Sequence, residues 1–428
     1  MKRVIIKRMC LALVFALLSV SIYSPAVFAA GEGANRIDEI IAGMSLRDKL
    51  AQMMFFSPRT WKADYTPVET DENGEPTAEP IPAEKVTEIN EFMWDYIAEH
   101  RFGGFLLFGE NCNDAGQVLR LTSDMKAATL EGGGIMPLIA VDQEGGTVAR
   151  LSFGTPGVGN MALAATGDPA NAATMASVYG EELSSLGIDV DFAPVMDVND
   201  NPANPVIGIR SFGDDAEVVS EYGVAYIEGL RNKDTVACAK HFPGHGNTDT
   251  DSHTGLPQVD RSLDDLRANE LVPFKAAIDN GVDMVMTAHI QYPQVETETY
   301  TSTSSGEKVY LPATMSRTIL TDILRGELGF EGVIVSDALD MQAITDNISP
   351  DDMLTLCINA GVNMLIIPPC QGDEDLYAWN DGLLNRAVAL TESSVIDIGR
   401  VDDSVRRILL LKQKYGLLDM TLKSPTNR

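Results

Sequence analysis

The segment ACAKHFPGHGNTDTDSH, residues 237–253, begins as an apolar run typical of a buried strand and continues into a polar loop rich in Gly and Asp. It carries His241, His245 and His253, although the whole chain has only 5 histidines. Imidazole titrates near neutral pH and also binds metals, so it serves as a proton carrier or a ligand. The run 237–242 therefore predicts a strand whose carboxyl end opens into a functional site.

Seven further apolar runs of this kind occur along the 428 residues. Amphipathic helical patterns, such as 216–231 and 263–279, separate most of them, and strands that alternate with helices indicate a parallel sheet. Eight such units favour a single closed (β/α)8 TIM-type barrel. An open doubly wound sheet is the alternative, but no glycine-rich phosphate motif follows the first run. The predicted strands are residues 52–56, 103–108, 137–142, 190–198, 237–242, 283–290, 333–337 and 363–368.

Two segments between these elements are longer than ordinary connections. Residues 57–81 are acidic and contain proline, and residues 291–312 are rich in Thr, Ser and Glu. Long loops in a compact domain are commonly functional lids or disordered segments. We expect both to be loop insertions, so that residues 30–428 form one barrel domain ending in a helix at 401–415.

Residues 1–29 have the pattern of a secretory signal peptide. An apolar run at 11–20 leads to small residues that end at Ala29, and it is too short to span a bilayer comfortably. We expect a secreted protein, free or associated with the cell wall, with no stable membrane insertion and a monomeric state. The basic residues before the apolar run are Lys2, Arg3, Lys7 and Arg8.

The formal net charge is −30, and removal of the signal peptide makes it more negative still. So acidic a surface repels nucleic acids and anionic membranes, which excludes both as expected partners. The cysteines at 112, 238, 357 and 370 match no zinc pattern and are too sparse for a disulfide scaffold. Cys238 is expected to be a buried thiol, and a Cys112–Cys370 bridge stays open.

Polar residues recur where the predicted strands stop. In a (β/α)8 barrel the catalytic groups lie at the carboxyl ends of the strands. One Asp after a strand is commonly a capping residue, but five such positions on one face indicate a site. These positions are Asp142, Asp197, Lys240 with His241, His289 and Asp337.

Four motifs, in this order along the chain, resemble those of the glycoside hydrolase family 3 N-acetyl-β-glucosaminidases. The first is DQEGGTVAR at 142–150, and RSFG follows at 210–213. The signature loop KHFPGHGNTDTDSH occupies 240–253, and SDALDM lies at 336–341. The resemblance runs from about residue 37 to 417 and implies a barrel fold and a retaining exo-glycosidase.

The resemblance implies that Asp337 is the nucleophile and that His253 is the acid/base, oriented by Asp251. A carboxylate can attack the anomeric carbon and then leave as a glycosyl ester. An imidazole can replace the usual second carboxylic acid if a neighbouring carboxylate fixes its tautomer. Asp340 competes with Asp337 for the nucleophile role, but its loop position suits a helix cap.

The remaining matched positions imply substrate recognition. Asp142 would accept hydrogen bonds from sugar hydroxyls, and an ion pair from Arg150 to Glu144 is the structural alternative for Arg150. Glu144 itself is expected to be structural, and His245 is expected to shape a turn. The predicted substrate-binding residues are Asp142, Arg150, Arg210, Lys240, His241 and His289.

We therefore expect an exported enzyme that removes terminal β-linked N-acetylglucosamine from peptidoglycan fragments or chitooligosaccharides, with no metal and no cofactor. A β-glucosidase of the same family and a phosphorolytic relative are the alternatives among enzymes. A zinc site made of His241, His245, His253 and Asp251 is disfavoured, because Pro243 makes a chelating helix improbable there. A non-catalytic glycan-binding barrel would lack the nucleophile or the dyad.

Overall fold

The computed structural model describes residues 36–61, 84–252, 255–367 and 376–418. The predicted signal peptide, most of the insertion at 57–81, His253 and Cys370 lie outside these ranges. The chain divides into two compact units, Met1–Met44 and Ser45–Arg428. The first contains a helix at residues 36–43, and the second contains the barrel.

Eight parallel strands close into a barrel in which each strand pairs with its neighbours in chain order. The first strand pairs with the last, with Met54 opposite Leu365, and this pairing closes the ring. The prediction of a closed (β/α)8 barrel is confirmed, and each of the eight strands overlaps the run predicted for it. The strands are β1 (Met54–Phe56), β2 (Gly104–Leu106), β3 (Leu138–Val141), β4 (Val190–Asp191), β5 (Val236–Phe242), β6 (Met284–Thr287), β7 (Val333–Ala338) and β8 (Met364–Ile366).

Helices surround the barrel, and two predicted boundaries were wrong. The predicted helix 263–279 is broken at Asn269, whose backbone leaves the helical region at φ −135° and ψ −78°. The predicted strand 190–198 stops at Asp191, because Pro194 lacks the N–H that a continuous ladder needs. The helices of the second unit are Leu46–Gln52, Glu91–His100, Ala115–Glu131, Asn160–Ala164, Ala170–Ser185, Ala216–Arg231, Leu263–Ala268, Leu271–Asp279, the π-helix Thr318–Glu327, Gln342–Thr345, Pro350–Ala360, Leu376–Glu392 and Ile398–Lys414.

The barrel strands are buried on both faces, as expected for parallel strands covered by helices. All seven residues of β5 are buried, including Lys240 and His241, and Cys238 is fully buried as predicted. At the other end of the barrel, Lys412 of the last helix donates a hydrogen bond to Gln52 Oε1 at 2.9 Å. The last helix therefore packs directly against the residues that precede β1.

Three loops at the carboxyl ends of the strands contain short antiparallel hairpins. The insertion at 291–312 pairs Thr299–Thr301 with Lys308–Tyr310, and Thr60–Trp61 pairs with Glu84–Lys85. After β3, Gln143–Gly145 pairs with Val148–Ala149. We call residues 142–150 the β3 hairpin. Within the described ranges, no helix has the length and apolar character that a membrane span requires.

Candidate active site

A cavity of about 280 Å³ opens at the carboxyl ends of the barrel strands. Its lining residues come from seven of the eight strands or from the loops that follow them, and they are spread along the sequence from Leu106 to Ile366. Six of the nine predicted site residues line it, as do Glu144, His245 and Ser252. The six are Asp142, Arg150, Arg210, Lys240, His241 and Asp337.

Five charged side chains line one side of the cavity, with Lys240 at their centre, and we call them the recognition wall: Asp142, Glu144, Arg150, Arg210 and Lys240. Nζ of Lys240 donates to Asp142 Oδ1 and contacts Glu144 Oε1, both at 2.7 Å. The Arg210 guanidinium donates two hydrogen bonds to Glu144, from Nη2 to Oε1 at 2.7 Å and from Nε to Oε2 at 2.9 Å. Burial penalises the charge on Glu144, but Lys240 and Arg210 outweigh it and hold the pKa of this carboxyl at about 2. Glu144 is therefore an anionic anchor that fixes two cationic side chains within the cavity.

The β3 hairpin is held in shape by Gln143, whose Oε1 accepts the N–H groups of Arg150 and Leu151 at 2.8 and 3.1 Å. Gly145 and Gly146 form its turn with φ of 84° and 60°, a region that favours glycine. The guanidinium of Arg150 approaches Asp142 Oδ2 at 3.6 Å. Arg150 thus pairs with Asp142, in place of the alternative pair with Glu144.

His241 is oriented by Asp197, which the sequence placed at a strand end without giving it a role. The ring Nδ1 lies 2.7 Å from Asp197 Oδ2, and the N–H of His245 donates to Oδ1 at 2.6 Å. Burial opposes the charge on Asp197, but His241 outweighs it and lowers the pKa of the carboxyl. The other ring nitrogen, Nε2, lies 3.5 Å from Nη2 of Arg210. The peptide bond between Lys240 and His241 is cis.

His245 shapes the loop that leads to the predicted dyad. Its ring nitrogens lie 2.8 Å from Thr248 Oγ1 and 3.2 Å from Ser252 Oγ. Burial lowers the pKa of His245 to about 4, so the ring is neutral and its two hydroxyl contacts are retained near pH 7. This position agrees with the structural role expected from the sequence.

Asp337 stands at the end of β7 and lines the cavity, whereas the competing carboxylate, Asp340, is not among the lining residues. Oδ1 of Asp337 accepts a hydrogen bond from the N–H of Ala338 at 2.8 Å. Burial penalises the charge on Asp337, but His241 and His289 outweigh it and lower the pKa. Asp337 is therefore ionised at neutral pH, as a nucleophile must be.

His289 is buried and is not among the residues that line the cavity, so its predicted contact with substrate stays a prediction. The ring is 1% exposed, and its nitrogens lie 2.8 Å from Thr314 Oγ1 and 3.0 Å from the Ala338 carbonyl oxygen. These contacts leave it beside the backbone that follows Asp337, and this geometry suits support of the β7 end.

The predicted dyad is only half described. Asp251 is half-buried in the loop after β5, next to Ser252 on the cavity wall. His253 lies outside the described residues, so its pairing with Asp251 stays a prediction. In the described ranges no three or more His, Cys, Asp or Glu side chains form a group that could hold a metal ion.

Replacing Glu144 by Gln should leave Lys240 and Arg210 without the carboxylate they share. An unbalanced buried charge costs about 3–5 kcal/mol, so we expect the free energy of unfolding at pH 7 to fall by that order. The folded pKa of about 2 lies below the ordinary 4.5. The stabilisation is therefore complete above about pH 4.5 and is lost as pH falls towards 2.

Urea unfolding of the wild type and of Glu144→Gln at pH 7, 4 and 3 measures this loss. The matched control is Glu181→Gln, which removes an exposed carboxylate 2.8 Å from Lys233 and should change stability little. A Glu144→Gln variant as stable as the wild type at pH 7 would contradict the anchoring role.

Comparison with known proteins identifies the family of the chain. The family profile described as "Glycosyl hydrolase family 3 N terminal domain" matches residues 45–411. A β-hexosaminidase from Stenotrophomonas maltophilia is 35% identical over 312 residues, which cover 71% of this chain and 88% of that protein. β-Hexosaminidase A from Pseudoalteromonas piscicida is 40% identical over 350 residues, 78% of this chain but 58% of the relative.

Solved structures give the same result. A glycoside hydrolase family 3 β-N-acetylglucosaminidase from Paenibacillus sp. FPU-7 superposes with a TM-score of 0.74 at 35% identity, over 90% of this chain and 65% of that one. The β-N-acetylhexosaminidase of Beutenbergia cavernae gives 0.70 at 29% identity, over 87% of this chain and 99% of that one. This chain thus spans less than two thirds of the Pseudoalteromonas and Paenibacillus proteins. The chain belongs to glycosyl hydrolase family 3.

Proposed function

We propose that this protein is a retaining exo-glycosidase that hydrolyses terminal β-linked N-acetylglucosamine through a covalent glycosyl-aspartate intermediate. The observation that carries the proposal is Asp337, an ionised carboxylate on the wall of the cavity that also holds Asp142, Lys240 and Arg210. The names of the relatives, β-hexosaminidase and β-N-acetylglucosaminidase, support the choice of sugar.

The recognition wall supplies both hydrogen-bond acceptors and donors for a terminal sugar. Asp142 is held at 2.7 Å by Lys240 and can accept from hydroxyls at the far end of the ring. Arg150 and Arg210 offer N–H donors to the remaining hydroxyls and the acetamido oxygen. Because Glu144 already holds the Arg210 side chain and Asp142 lies 3.6 Å from that of Arg150, little conformational freedom is lost when the sugar binds.

In the first chemical step, Asp337 attacks the anomeric carbon and forms an ester as the bond to the leaving oxygen breaks. In the second, water replaces the aspartate with a second inversion, so the configuration is retained. A carboxylate must be ionised to attack, and the imidazoles of His241 and His289 favour that form of Asp337.

His253 is proposed to donate the proton that the leaving oxygen needs and later to take a proton from water. Asp251 would hold the ring in the required tautomer and stabilise its cation. The described part of this loop follows the buried turn at His245. A position in a loop allows an acid/base to move in after the sugar is bound.

A substrate panel tests the reaction and the sugar together. Nitrophenyl β-N-acetylglucosaminide should be cleaved much faster than nitrophenyl β-glucoside, and added inorganic phosphate should change neither the rate nor the product. A faster β-glucoside reaction would point to a β-glucosidase. A sugar 1-phosphate product would point to a phosphorylase.

Asp337→Ala should abolish turnover and leave the fold intact, because a carboxylate on the cavity wall is replaced by a small side chain. In the wild type, a 2-fluoro sugar with a good leaving group should label Asp337, as read by mass spectrometry of peptides. Asp340→Ala is the matched control and should keep its activity. A label on Asp340, or an inverted product, would show that the nucleophile is assigned incorrectly.

His253→Ala should impair the natural disaccharide far more than the nitrophenyl glycoside, because a sugar alkoxide needs a proton to leave and a nitrophenolate needs little help. Asp251→Asn should show the same pattern more mildly. Azide should restore deglycosylation of His253→Ala on the activated substrate, since a small anion needs no general base.

Kinetics on both substrates, with and without a chelator, separate the alternatives. A zinc site predicts that chelators inactivate the wild type. It also predicts that each variant loses activity to the same extent on the disaccharide and on the nitrophenyl glycoside. Equal losses on both substrate classes in His253→Ala would exclude His253 as the acid/base.

Export and the natural substrate complete the proposal. The pattern of residues 1–29 supports secretion with cleavage after Ala29, which gives the enzyme access to cell-wall fragments and chitooligosaccharides. We expect a monomer in the culture medium. Amino-terminal sequencing and size-exclusion chromatography of the secreted protein test both points, and retention of residues 1–29 in the mature protein would contradict export by this signal.

A further inference from the structure

We propose that Asp191, at the end of β4, is a positioning residue that fixes the β3 hairpin and does so as a neutral acid. It lies outside the predicted site and does not line the cavity. The inference rests on the proposed function, because its kinetic readout uses that reaction.

The first support is a chain of hydrogen bonds from Asp191 to the cavity. Asp191 is fully buried, and its Oδ1 accepts the N–H of Gln143 at 2.9 Å. The Gln143 carbonyl oxygen accepts from Tyr226 Oη at 3.1 Å. Since Gln143 lies between Asp142 and Glu144 in sequence, this contact sets the point from which both carboxylates enter the cavity.

The same glutamine carries the effect along the hairpin. Its Oε1 accepts the N–H groups of Arg150 and Leu151, at 2.8 and 3.1 Å. Asp191 is thus linked to the carboxyl end of the β3 hairpin through Gln143 alone among these contacts, by one bond at the Gln143 N–H and two at its side chain. Loss of its acceptor would free Gln143 and, through it, Arg150.

The second support is the charge balance around Asp191. The titratable groups that interact with it electrostatically are Asp142 and Glu144 from the hairpin, Lys240 and the Cys238 thiol from β5, and the phenols of Tyr179 and Tyr226 from two helices. Lys240 is the one cation among them, and it already contacts both hairpin carboxylates at 2.7 Å. A third anion here would have no counter-charge of its own.

Burial raises the pKa of Asp191 well above its ordinary range, and the Gln143 N–H and Lys240 oppose this without cancelling it. Asp142 and Glu144 raise the pKa further. Among the described residues Oδ2 has no hydrogen-bond partner, so no donor there stabilises an anion. Asp191 therefore keeps its proton while the two neighbouring carboxylates stay charged.

This protonation state has a pH signature. The unfolded chain ionises Asp191 near pH 4, as an ordinary Asp does, whereas the folded chain does so only at much higher pH. The unfolded state thus binds fewer protons in that window, so the stability contributed by the neutral acid declines as pH rises. Asparagine, which cannot ionise, removes the decline and still offers an oxygen to the Gln143 N–H.

The experiment compares Asp191→Asn with Asp191→Ala on nitrophenyl β-N-acetylglucosaminide. Asp191→Asn should leave KM and kcat unchanged. Asp191→Ala should raise KM by about tenfold to a hundredfold, with a smaller effect on kcat, because the recognition wall is displaced while Asp337 is not. Asp189→Asn is the matched control: its carboxylate lies two residues earlier, pairs with Lys126 at 2.8 Å and should not affect KM.

Urea unfolding between pH 4 and 8 supplies a readout that needs no activity. Asp191→Asn should be more stable than the wild type at pH 7, with the advantage shrinking towards pH 4, and Asp191→Ala should be less stable at both. An unchanged KM in Asp191→Ala would overturn the positioning role. An Asp191→Asn variant less stable than the wild type at pH 7 would overturn the neutral state. A wild type inactive on every N-acetylglucosaminide would instead refute the proposed function, and the unfolding result would still stand.

Discussion

The recognition wall depends on the ion pairs that the buried ammonium group of Lys240 forms with Asp142 and Glu144. This group joins β5 to the β3 hairpin by contacts of 2.7 Å to two carboxylates, across 98 residues of sequence to Asp142. A buried charge without partners would be too costly to keep, and a pair broken on one side would leave the other exposed to the same cost. Replacing any one of Lys240, Asp142 and Glu144 by a neutral residue therefore leaves a charge in the cavity with one partner fewer.

That requirement propagates outward through the cavity. Arg210 can sit beside Lys240 only because Glu144 is shared between them. On the same reasoning, the neighbours that cannot be paired are neutral: burial keeps His245 uncharged at a pKa of about 4 and keeps a proton on Asp191. The cavity thus combines a wall of paired charges with Asp337, an ionised carboxylate that takes no part in those pairs.

The sequence predicted the barrel well, because buried parallel strands are apolar along their whole length and strand ends bear polar groups. The break at Asn269 was missed because it depends on local backbone geometry. The early end of β4 was missed although Pro194, inside the predicted strand, was a signal for it. Within the site, Glu144 was expected to be structural, but its partner Arg210 lies 66 residues away and was not predicted. Asp197 was given no role, because its partner His241 lies 44 residues away. His289 was placed at a strand end correctly, but its depth is set by Thr314, which the sequence does not connect to it.

The ring closure between β1 and β8 also determines when the fold can be completed. One edge of β1 pairs with β2 at Gly104, which is made early, but the other edge pairs with β8 at Leu365. Lys412, which contacts Gln52, is made later still. A chain emerging from its amino terminus therefore carries an open-edged sheet for most of its synthesis. The barrel therefore stays incomplete until the chain has been made as far as Leu365, because the last edge of β1 is paired only there.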